Sequence, residues 1–358
     1  MKQASPRDRK IGLREIAAAA NVSVATVSRV FNGNNRVDPA IQALVLKAAA
    51  QLDVDLSQRN KAKTLAFILS NRLMLHPFHS RVLSGAEAYC AAHGWDMIFL
   101  SFKYSLNLAW DELHLPKVAQ RRDVIRAVIV AGTNSASLTE LLDYKGIPYV
   151  ALGNNIFGES DDAKGDTIYS DDTRGAVDMT RYLISLGHRN IYFLGNIRLP
   201  WFARCYAGYT RAMNEAGLAP RHSTIDSEED SEVGYLGTKS LLARGEPVSA
   251  IFAGNDSTAH GVYRGLRDTG LSIPDDISVV GCDDTVGQWL YPGLTTIREF
   301  PEQLGKQMVE LILKRIANPG VEPQKVTIPT ELIKRDSCRR ISATGDIVVE
   351  KALQTGNA

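Results

Sequence analysis

A segment near the start of the chain, ANVSVATVSRVFNGNNRV, carries side chains suited to contact a nucleic acid. Arg29 offers a planar guanidinium that matches the O6 and N7 acceptors of guanine. Thr26, Ser28 and Asn32 are of a size and polarity that suit hydrogen bonds to phosphates, which set the register of a protein on a duplex. These residue types at this spacing predict a surface that reads DNA.

Three further residues complete the predicted DNA-binding set: Val24, Ala25 and Arg36. Val24 and Ala25 can make only apolar contacts, for example with a thymine methyl group. The alternative is that these polar residues do not bind DNA: Thr26 and Ser28 are then ordinary surface residues, and Arg29 pairs with an acid.

The elements that position these residues are three short predicted helices. Ser23 and Asp38 are good N-caps for the second and third helices, and Pro39 suits the first turn of the third. Apolar residues recur at helical spacing and predict the inward faces: Leu13, Ile16, Ala17 and Ala20 in the first helix, Val27, Val30 and Phe31 in the second, and Ile41, Leu44, Val45, Ala48 and Leu52 in the third. A tight turn between the first two predicts a helix-turn-helix.

Charge separates this head from the rest of the chain. Residues 1–63 contain eleven Lys and Arg against five Asp and Glu, an excess of six, whereas the whole chain of 358 residues has a net charge of +1. A basic head on a mildly acidic body indicates that the head has a polyanionic partner. A solvated basic tail is the alternative.

Downstream of the head, apolar runs alternate with helical patterns. One set of runs lies at 65–70, 96–102, 127–132 and 149–153, and a second at 167–170, 190–195, 249–255 and 278–284. Continuous runs rich in β-branched and aromatic residues are typical of parallel strands covered on both faces. The predicted fold class is α/β: a three-helix head plus two doubly wound parallel-sheet subdomains.

Several classes of protein are disfavoured by what the sequence lacks. The four cysteines are scattered without CxxC spacing, which fits a reducing cytosol. No apolar run reaches the roughly 18 residues of a membrane span, and the first residues lack the apolar core of a signal peptide, so we expect a cytoplasmic protein without a membrane partner. Phosphate-cradling, zinc-protease and nucleophile-elbow motifs are missing, so we expect no enzyme, no catalytic residues, no metal and no cofactor.

The segment LREIAAAANVSVATVSRVFNGNNRV closely resembles the head of the lactose-repressor (LacI) family of bacterial transcription regulators, whose heads typically contain VSxxTVSRVxN. The resemblance continues through YLISLGHRNIYFLGN, IFAGND, SVVGCDD and LTTI. It implies a core like the periplasmic binding proteins, closing on a small molecule, and a dimer on a near-palindromic operator. The expected domains are a head at 1–58, a shortened basic linker at 59–64, a core at 65–338 and a polar tail at 339–358.

Within that core, we expect a first subdomain at about 65–165 plus 298–330 and a second at about 166–297. The linker departs from the family, which usually carries YxPNxxAxxL where this chain has VDLSQRNKAKTL. Because no long apolar side chain follows Ser57 before Leu65, we expect weak or absent hinge-helix formation and mainly phosphate attraction from the basic linker residues. The alternative is that the hinge starts earlier and Leu56 acts as the wedge.

Ligands of open α/β folds bind outside the carboxyl ends of the strands, and the candidate effector residues lie there. From strand ends and loops these are Asn71, Leu75, Phe78, Asn154, Asn255, Asp283 and Glu299. The family's ligand contacts map well onto Asn255 and Asp283, although both could instead cap helices. Arg204 and Glu229 complete the candidate set, although this part of the chain deviates from the family pattern. The family's usual Arg aligns with Cys205, one residue after Arg204. Glu229 stands where the family often has an aromatic residue, and Glu299 stands where it commonly has Gln.

Two extra carboxylates and a doubtful Arg favour a neutral polyol or a cationic effector over an anionic one. The function predicted from all this is a DNA-binding transcriptional repressor whose operator affinity depends on a small molecule, a sugar or polyol, bound between the two subdomains. The alternative is a cytoplasmic sugar-sensing or solute-binding protein without a DNA-binding role.

Overall fold

The computed structural model of the protein describes residues 12–31, 37–52, 63–72, 76–158, 164–223, 225–227 and 229–341. The predicted linker (59–64) and the preceding hinge segment lie outside these ranges except for Lys63 and Thr64. The hinge-helix expectation therefore stays a prediction. Among the described residues, no helix has the length and apolar character needed to cross a membrane.

Three helices form the head: α1 (Leu13–Ala19), α2 (Val24–Phe31) and α3 (Pro39–Gln51). Asp38 caps α3 as predicted, its carboxylate accepting the N–H of Ala40 at 2.7 Å. Leu44 was expected to face inward, yet it is 53% exposed, because the buried stripe of α3 runs through Val45, Ala48 and Ala49. The buried core of the head is made of Ile16, Ala17, Val27, Val30, Val45, Ala48 and Ala49.

The first lobe of the core is built on a six-stranded parallel sheet. Its strands, in spatial order, are β13 (Lys325–Ile328), β7 (Asp166–Ser170), β5 (Tyr149–Leu152), β3 (Ala127–Gly132), β1 (Thr64–Ser70) and β2 (Asp96–Phe102). Helices α4 (Pro77–Ala92) and α10 (Pro301–Ala317) cover one face and α5 (Ala136–Tyr144) the other. The short strands β4 (Asn134–Ser135) and β6 (Ile156–Phe157) pair separately.

The second lobe repeats the arrangement. Its strands, in spatial order, are β14 (Glu331–Ile333), β12 (Thr295–Arg298), β11 (Ser278–Asp283), β10 (Ala250–Ala253), β8 (Ile191–Leu194) and β9 (Arg221–Ser223). Only the pairing of β14 with β12 is antiparallel within this described sheet. Helices α6 (Asp172–Ser185) and α7 (Pro200–Glu215) pack on one face, and α8 (Asp230–Ala243) and α9 (Asp256–Arg267) on the other.

The chain passes between the lobes three times: after β7, after β12 and after β13. At the second passage, Phe300 adopts a left-handed conformation with φ of 54°, which turns the chain into α10. These passages bring the carboxyl ends of both sheets to face each other. The space between them is a cleft of the kind predicted for a ligand.

The lobe boundaries differ from those expected at three places. β7 was expected to open the second subdomain at about 166, but it pairs with β5 and β13 in the first sheet. β14 returns to the second lobe after β13. The polar tail was expected from 339, yet the N–H of Ile341 donates to Leu186 O at 2.9 Å, so the core extends to 341. Strand composition alone does not reveal which sheet a strand joins.

Helices α4 and α10 approach so closely that glycine is needed where they cross. A Cβ placed on Gly305 would lie 1.9 Å from the carbonyl oxygen of Val82, and one on Gly85 would lie 2.0 Å from that of Glu302. Real Cβ atoms do not approach a carbonyl oxygen this closely. Any larger residue must therefore push the helices apart and loosen the first lobe.

We expect Gly305→Ala to lower the free energy of unfolding by about 1–3 kcal/mol through overpacking of this crossing. The sign is informative, because glycine to alanine in an unconstrained helix stabilises by up to about 1 kcal/mol. Urea unfolding of the full chain measures the effect. Gly320→Ala is the control, since a Cβ there meets nothing within 4 Å. A Gly305→Ala protein as stable as the wild type would contradict the close crossing.

Candidate functional site

The outward face of α2 presents the side chains predicted to read DNA. Val24 is 42% exposed, and Ala25 and Arg29 are also exposed. Val27 and Val30 point the other way and are buried in the core of the head. The helix therefore has one face fixed by packing and one face available to a partner. This is the arrangement that places a recognition helix in a major groove.

Ser23 fixes the start of α2. Its hydroxyl accepts the N–H of Thr26 at 3.0 Å and lies 2.8 Å from the Thr26 hydroxyl, so Thr26 belongs partly to the cap. Thr26 and Ser28 are half-buried rather than fully exposed. Asn32 and Arg36 lie outside the described residues. The N-terminal end of α2 is thus held rigidly, as precise contact with base edges requires.

Between the lobes lies a cleft of about 580 Å³, within the range of small-molecule sites. Asn71, Arg72 and His76 line it from the first lobe, and Asn196 and Asp230 line it from the second. A smaller cavity of about 40 Å³ continues inward from the same Arg72 and His76. Its walls include Phe78, Asn154, Trp201, Asn255, Asp283 and Glu299.

An ion pair joins the two lobes across this cleft. Arg72 Nη2 donates to Asp230 Oδ2 at 2.8 Å, and both side chains are more than nine-tenths buried. His76 Nε2 lies 3.1 Å from the same oxygen, and the Arg72 guanidinium stacks 4.7 Å from the ring of Trp201. Burial alone raises the pKa of a carboxyl, but the His76 hydrogen bond and the charge of Arg72 hold the pKa of Asp230 well below its usual range.

Two of the three asparagines predicted to bind the effector, Asn154 and Asn255, are engaged by the protein itself. Asn255 Oδ1 accepts the N–H of Thr258 and caps α9, while Asn255 Nδ2 donates to Asp230 at 2.8 Å. Asn154 Nδ2 donates to Ser170 O and to Asp172 Oδ2 at 2.7 Å. Both predicted roles are therefore combined in Asn255, which is a helix cap and also lines the cavity.

Two carboxyl groups that line the inner cavity, those of Asp283 and Glu299, have raised pKa values. Burial, and next the nearby carboxyl of Asp256, raise the pKa of Asp283 well above its usual range. Burial and the charge of Asp172 raise the pKa of Glu299 to about 7. Glu299 also accepts a hydrogen bond from the thiol of Cys282 at 3.0 Å. A neutral carboxyl can both donate and accept, which suits a hydroxyl group.

The remaining predicted effector residues are dispersed. Asn71 lines the cleft, but its amide already bonds Thr133 O and the N–H of Tyr104. Phe78 is buried beside the inner cavity, whereas Glu229 is exposed at the rim of the cleft. Arg204 lies beside the cleft, its Nε 2.9 Å from Asp172. Leu75 lies outside the described residues.

Several cleft residues were not predicted, among them Arg72, Trp201 and Asp230. A signal existed for two of them. Arg72 follows the first strand directly after Asn71, at the end where ligands bind. Asp230 begins α8 immediately after Glu229, a position that favours an acid. Nothing in the sequence indicated that Trp201 would lie under the Arg72 guanidinium, because that contact joins two lobes.

The four cysteines, which are scattered without CxxC spacing in the sequence, lie in the described core. They are free thiols in the structure, with the sulfurs of Cys205 and Cys282 3.8 Å apart. Within the described ranges, no cluster of three or more His, Cys, Asp and Glu side chains is placed to hold a metal ion.

Comparison with known proteins supports both halves of the molecule. Residues 12–54 match the model described as bacterial regulatory proteins, lacI family, and residues 180–338 match the periplasmic binding protein-like domain. The chain is 28% identical over 338 residues to the HTH-type transcriptional repressor PurR of Histophilus somni, covering 92% of this chain and 99% of that protein. It is also 28% identical over 334 residues to the ribose operon repressor of Haemophilus influenzae, covering 91% of this chain and 98% of that one.

Among solved structures, the transcriptional regulator CelR–cellobiose complex matches with a TM-score of 0.67 at 25% identity, covering 92% of this chain and all of that one. The lac repressor dimer bound to operator and the anti-inducer ONPF matches with a TM-score of 0.65 at 22% identity, covering 92% and 99%. The latter likeness speaks to the fold alone. The family and fold class predicted from the sequence are confirmed. The chain belongs to the LacI family of bacterial regulatory proteins, and it is a DNA-binding transcriptional regulator.

Proposed function

We propose that the protein is a cytoplasmic repressor that binds a near-palindromic operator as a homodimer and responds to a neutral carbohydrate. The proposal rests on two features of one chain. The first is the exposed face of α2, and the second is a core whose two lobes are joined across a cleft by the ion pair of Arg72 and Asp230. The matched lacI-family head favours this function over a solute-binding protein without a DNA-binding role. The proposal includes no catalysed reaction, and the relatives are named as repressors.

DNA recognition is assigned to the side chains of α2. Arg29 provides the fork for a guanine edge, and Val24 and Ala25 provide apolar contact with thymine methyl groups. Thr26 and Ser28 contact phosphates. Asn32 and Arg36, which follow α2 in the sequence, are proposed to contact DNA as well. Each α2 helix reads one half-site, so two heads in one dimer require a fixed spacing between half-sites.

The effector is proposed to be a sugar or polyol without net charge. Arg72 neutralises Asp230 across the cleft, and the raised pKa values of Asp283 and Glu299 reduce the negative charge of the inner cavity. The cleft of about 580 Å³, from which the inner cavity continues, accommodates a mono- or disaccharide. The cellobiose complex of CelR and the ribose complex of a LacI family transcriptional regulator from Enterococcus faecium, each 25% identical to this chain, are consistent with this class.

Ligand and operator are coupled through the relative orientation of the lobes. The Arg72–Asp230 pair holds one orientation, and a ligand that competes for these groups favours another. A change of orientation alters the spacing of the paired heads. A coupling free energy of about 1–3 kcal/mol, typical of allosteric proteins, changes operator affinity by about 5–150-fold.

We expect Arg29→Ala to weaken operator binding by about 1–3 kcal/mol and to relax preference at one base pair of each half-site, because it removes a bidentate base contact. An operator is first selected from random duplexes with the full chain. Fluorescence anisotropy then measures affinity for it and for single-base variants. Lys47→Ala on the exposed side of α3 is the control. An Arg29→Ala protein with unchanged base preference would falsify the assignment of α2.

We expect one of ribose, cellobiose and sucrose, or a related neutral sugar, to raise the melting temperature of the full chain. Asp283→Asn should weaken that sugar's affinity by about 5–150-fold, because the amide nitrogen that replaces one carboxyl oxygen can donate to a sugar hydroxyl but cannot accept from it. Isothermal titration calorimetry gives the affinity, and Glu229→Gln at the exposed rim serves as the matched control. Stabilisation confined to sugar phosphates and abolished by Asp283→Asn would contradict a neutral effector.

We expect Glu299→Gln to stabilise the protein at pH 8 by about 1–3 kcal/mol and to change little at pH 4.5 or below. The folded pKa of Glu299 is raised from 4.5 to about 7, so its favourable contribution is complete below pH 4.5 and is lost as the pH rises to 7. Urea unfolding at pH 4.5 and pH 8 tests this. Exposed Glu140→Gln is the control, and an equal effect of Glu299→Gln at both pH values contradicts a raised pKa.

A further inference from the structure

A second concave site lies on the first lobe, at the edge of its sheet opposite the cleft. It has a volume of about 350 Å³ and is formed near the first residues of β3 and β5 and the last turn of α10. The polar side chains that line it are those of Arg122, Arg126, Asp143, Tyr149, Lys164 and Arg315. Nothing in the proposed operator or carbohydrate binding uses these residues.

The charges in this pocket are unbalanced. Arg315 is occupied, since its guanidinium bonds both oxygens of Asp166 at 2.6 and 2.7 Å. Asp143 is the one carboxylate among the described lining residues, and it accepts the backbone N–H of Lys164 at 3.1 Å. Within the described part of the chain, the side chains of Arg122 and Arg126 make no ion pair. The pocket therefore presents an excess of positive charge.

Arg122 carries the clearest sign of a missing partner. Its Nη1 atom is buried and meets no acceptor from the described residues. Burial, and next the positive charge of Arg126, lower the pKa of Arg122. Two neighbouring guanidinium groups with an unsatisfied buried donor are costly in an isolated protein and become favourable when an anion with several oxygens bridges them.

The position of the pocket connects it with the DNA-binding head. The backbone N–H of Arg126 donates to Thr64 O at 2.9 Å, and Thr64 is the first residue of β1, where the chain enters the core from the linker. An anion held beside Arg126 therefore lies next to the segment that joins head and core.

We propose that this pocket binds a phosphate group, with Arg122 and Arg126 as its bidentate donors and Lys164 as an additional cation. The phosphate belongs either to the backbone of operator DNA or to a free phosphorylated small molecule. The apolar wall of Pro148, Ile316 and Pro319 would contact the organic part of such a molecule. The site is separate from the carbohydrate cleft, so the two can be tested independently.

The test for a free ligand uses inorganic phosphate and glucose 6-phosphate, with glucose as the uncharged comparison, titrated into the full chain by calorimetry. If the source is a small molecule, phosphate binds and Arg122→Gln/Arg126→Gln weakens it at least tenfold, whereas Asp283→Asn in the cleft leaves it unchanged. The double variant Arg264→Gln/Arg267→Gln removes the same charge from exposed positions on α9 and should bind as the wild type does.

The test for DNA uses the selected operator and the dependence of log Kd on salt concentration. If the source is a DNA phosphate, Arg122→Gln/Arg126→Gln lowers the salt slope by about 1–2, since each lost phosphate contact removes about 0.9. Base preference should be unchanged, in contrast to the effect of Arg29→Ala. The α9 double variant should keep the wild-type slope.

The proposal is overturned if neither free phosphate binding nor the salt slope of operator binding responds to the pocket substitutions. Lys164→Gln guards against a folding artefact, because Lys164 is exposed and its substitution leaves the half-buried arginines in place. If the ligand is a free phosphate, Lys164→Gln should weaken phosphate binding by about threefold. If the ligand is a DNA phosphate, Lys164→Gln should lower the salt slope of operator binding by up to about 1. Melting curves of every variant confirm that it is folded before either measurement.

Discussion

The ion pair between Arg72 and Asp230 is the contact on which the state of the core depends. It joins the first lobe to the second, it is almost fully buried, and three donors converge on one carboxylate oxygen. Removing one partner from a buried pair costs about 3–5 kcal/mol, because the other charge is left uncompensated. The lobes therefore cannot separate freely. A ligand that opens or rearranges the cleft must supply its own hydrogen bonds to Arg72 or Asp230.

Because the chain passes between the lobes several times, a contact in the cleft affects both lobes. Three passages between the lobes cross near the same edge, and one of them carries Glu299 on its way to α10. A hydrogen bond at Glu299 thus acts on a segment shared by both lobes. The glycine crossing of α4 and α10 keeps the first lobe rigid, so a change in the cleft moves whole lobes rather than single loops.

The sequence predicted the elements better than their assembly. Helix caps at Ser23 and Asp38 depend on neighbours within four residues, and they were found correctly. β7 was assigned to the wrong lobe, because its short apolar run resembles the strands of either sheet and membership depends on pairing partners far along the chain. The family resemblance predicts the cleft but does not identify Arg72 and Asp230. Their importance comes from a contact between residues 158 positions apart.

The charge of the cleft follows from the same long-range contacts and decides what it can bind. The sequence indicated an acidic cleft, because Glu299 and Glu229 replace uncharged residues and the usual Arg is Cys205. In the folded protein, Arg72 of the first lobe places its guanidinium beside Asp230 of the second lobe. Arg204 pairs with Asp172 instead of facing the cavity. Because the pKa values of Asp283 and Glu299 are raised, the inner cavity presents hydrogen-bond donors and acceptors with less negative charge than exposed carboxyl groups would carry. A cationic ligand would have to ionise these carboxyls or break the ion pair, whereas a hydroxylated neutral ligand needs neither.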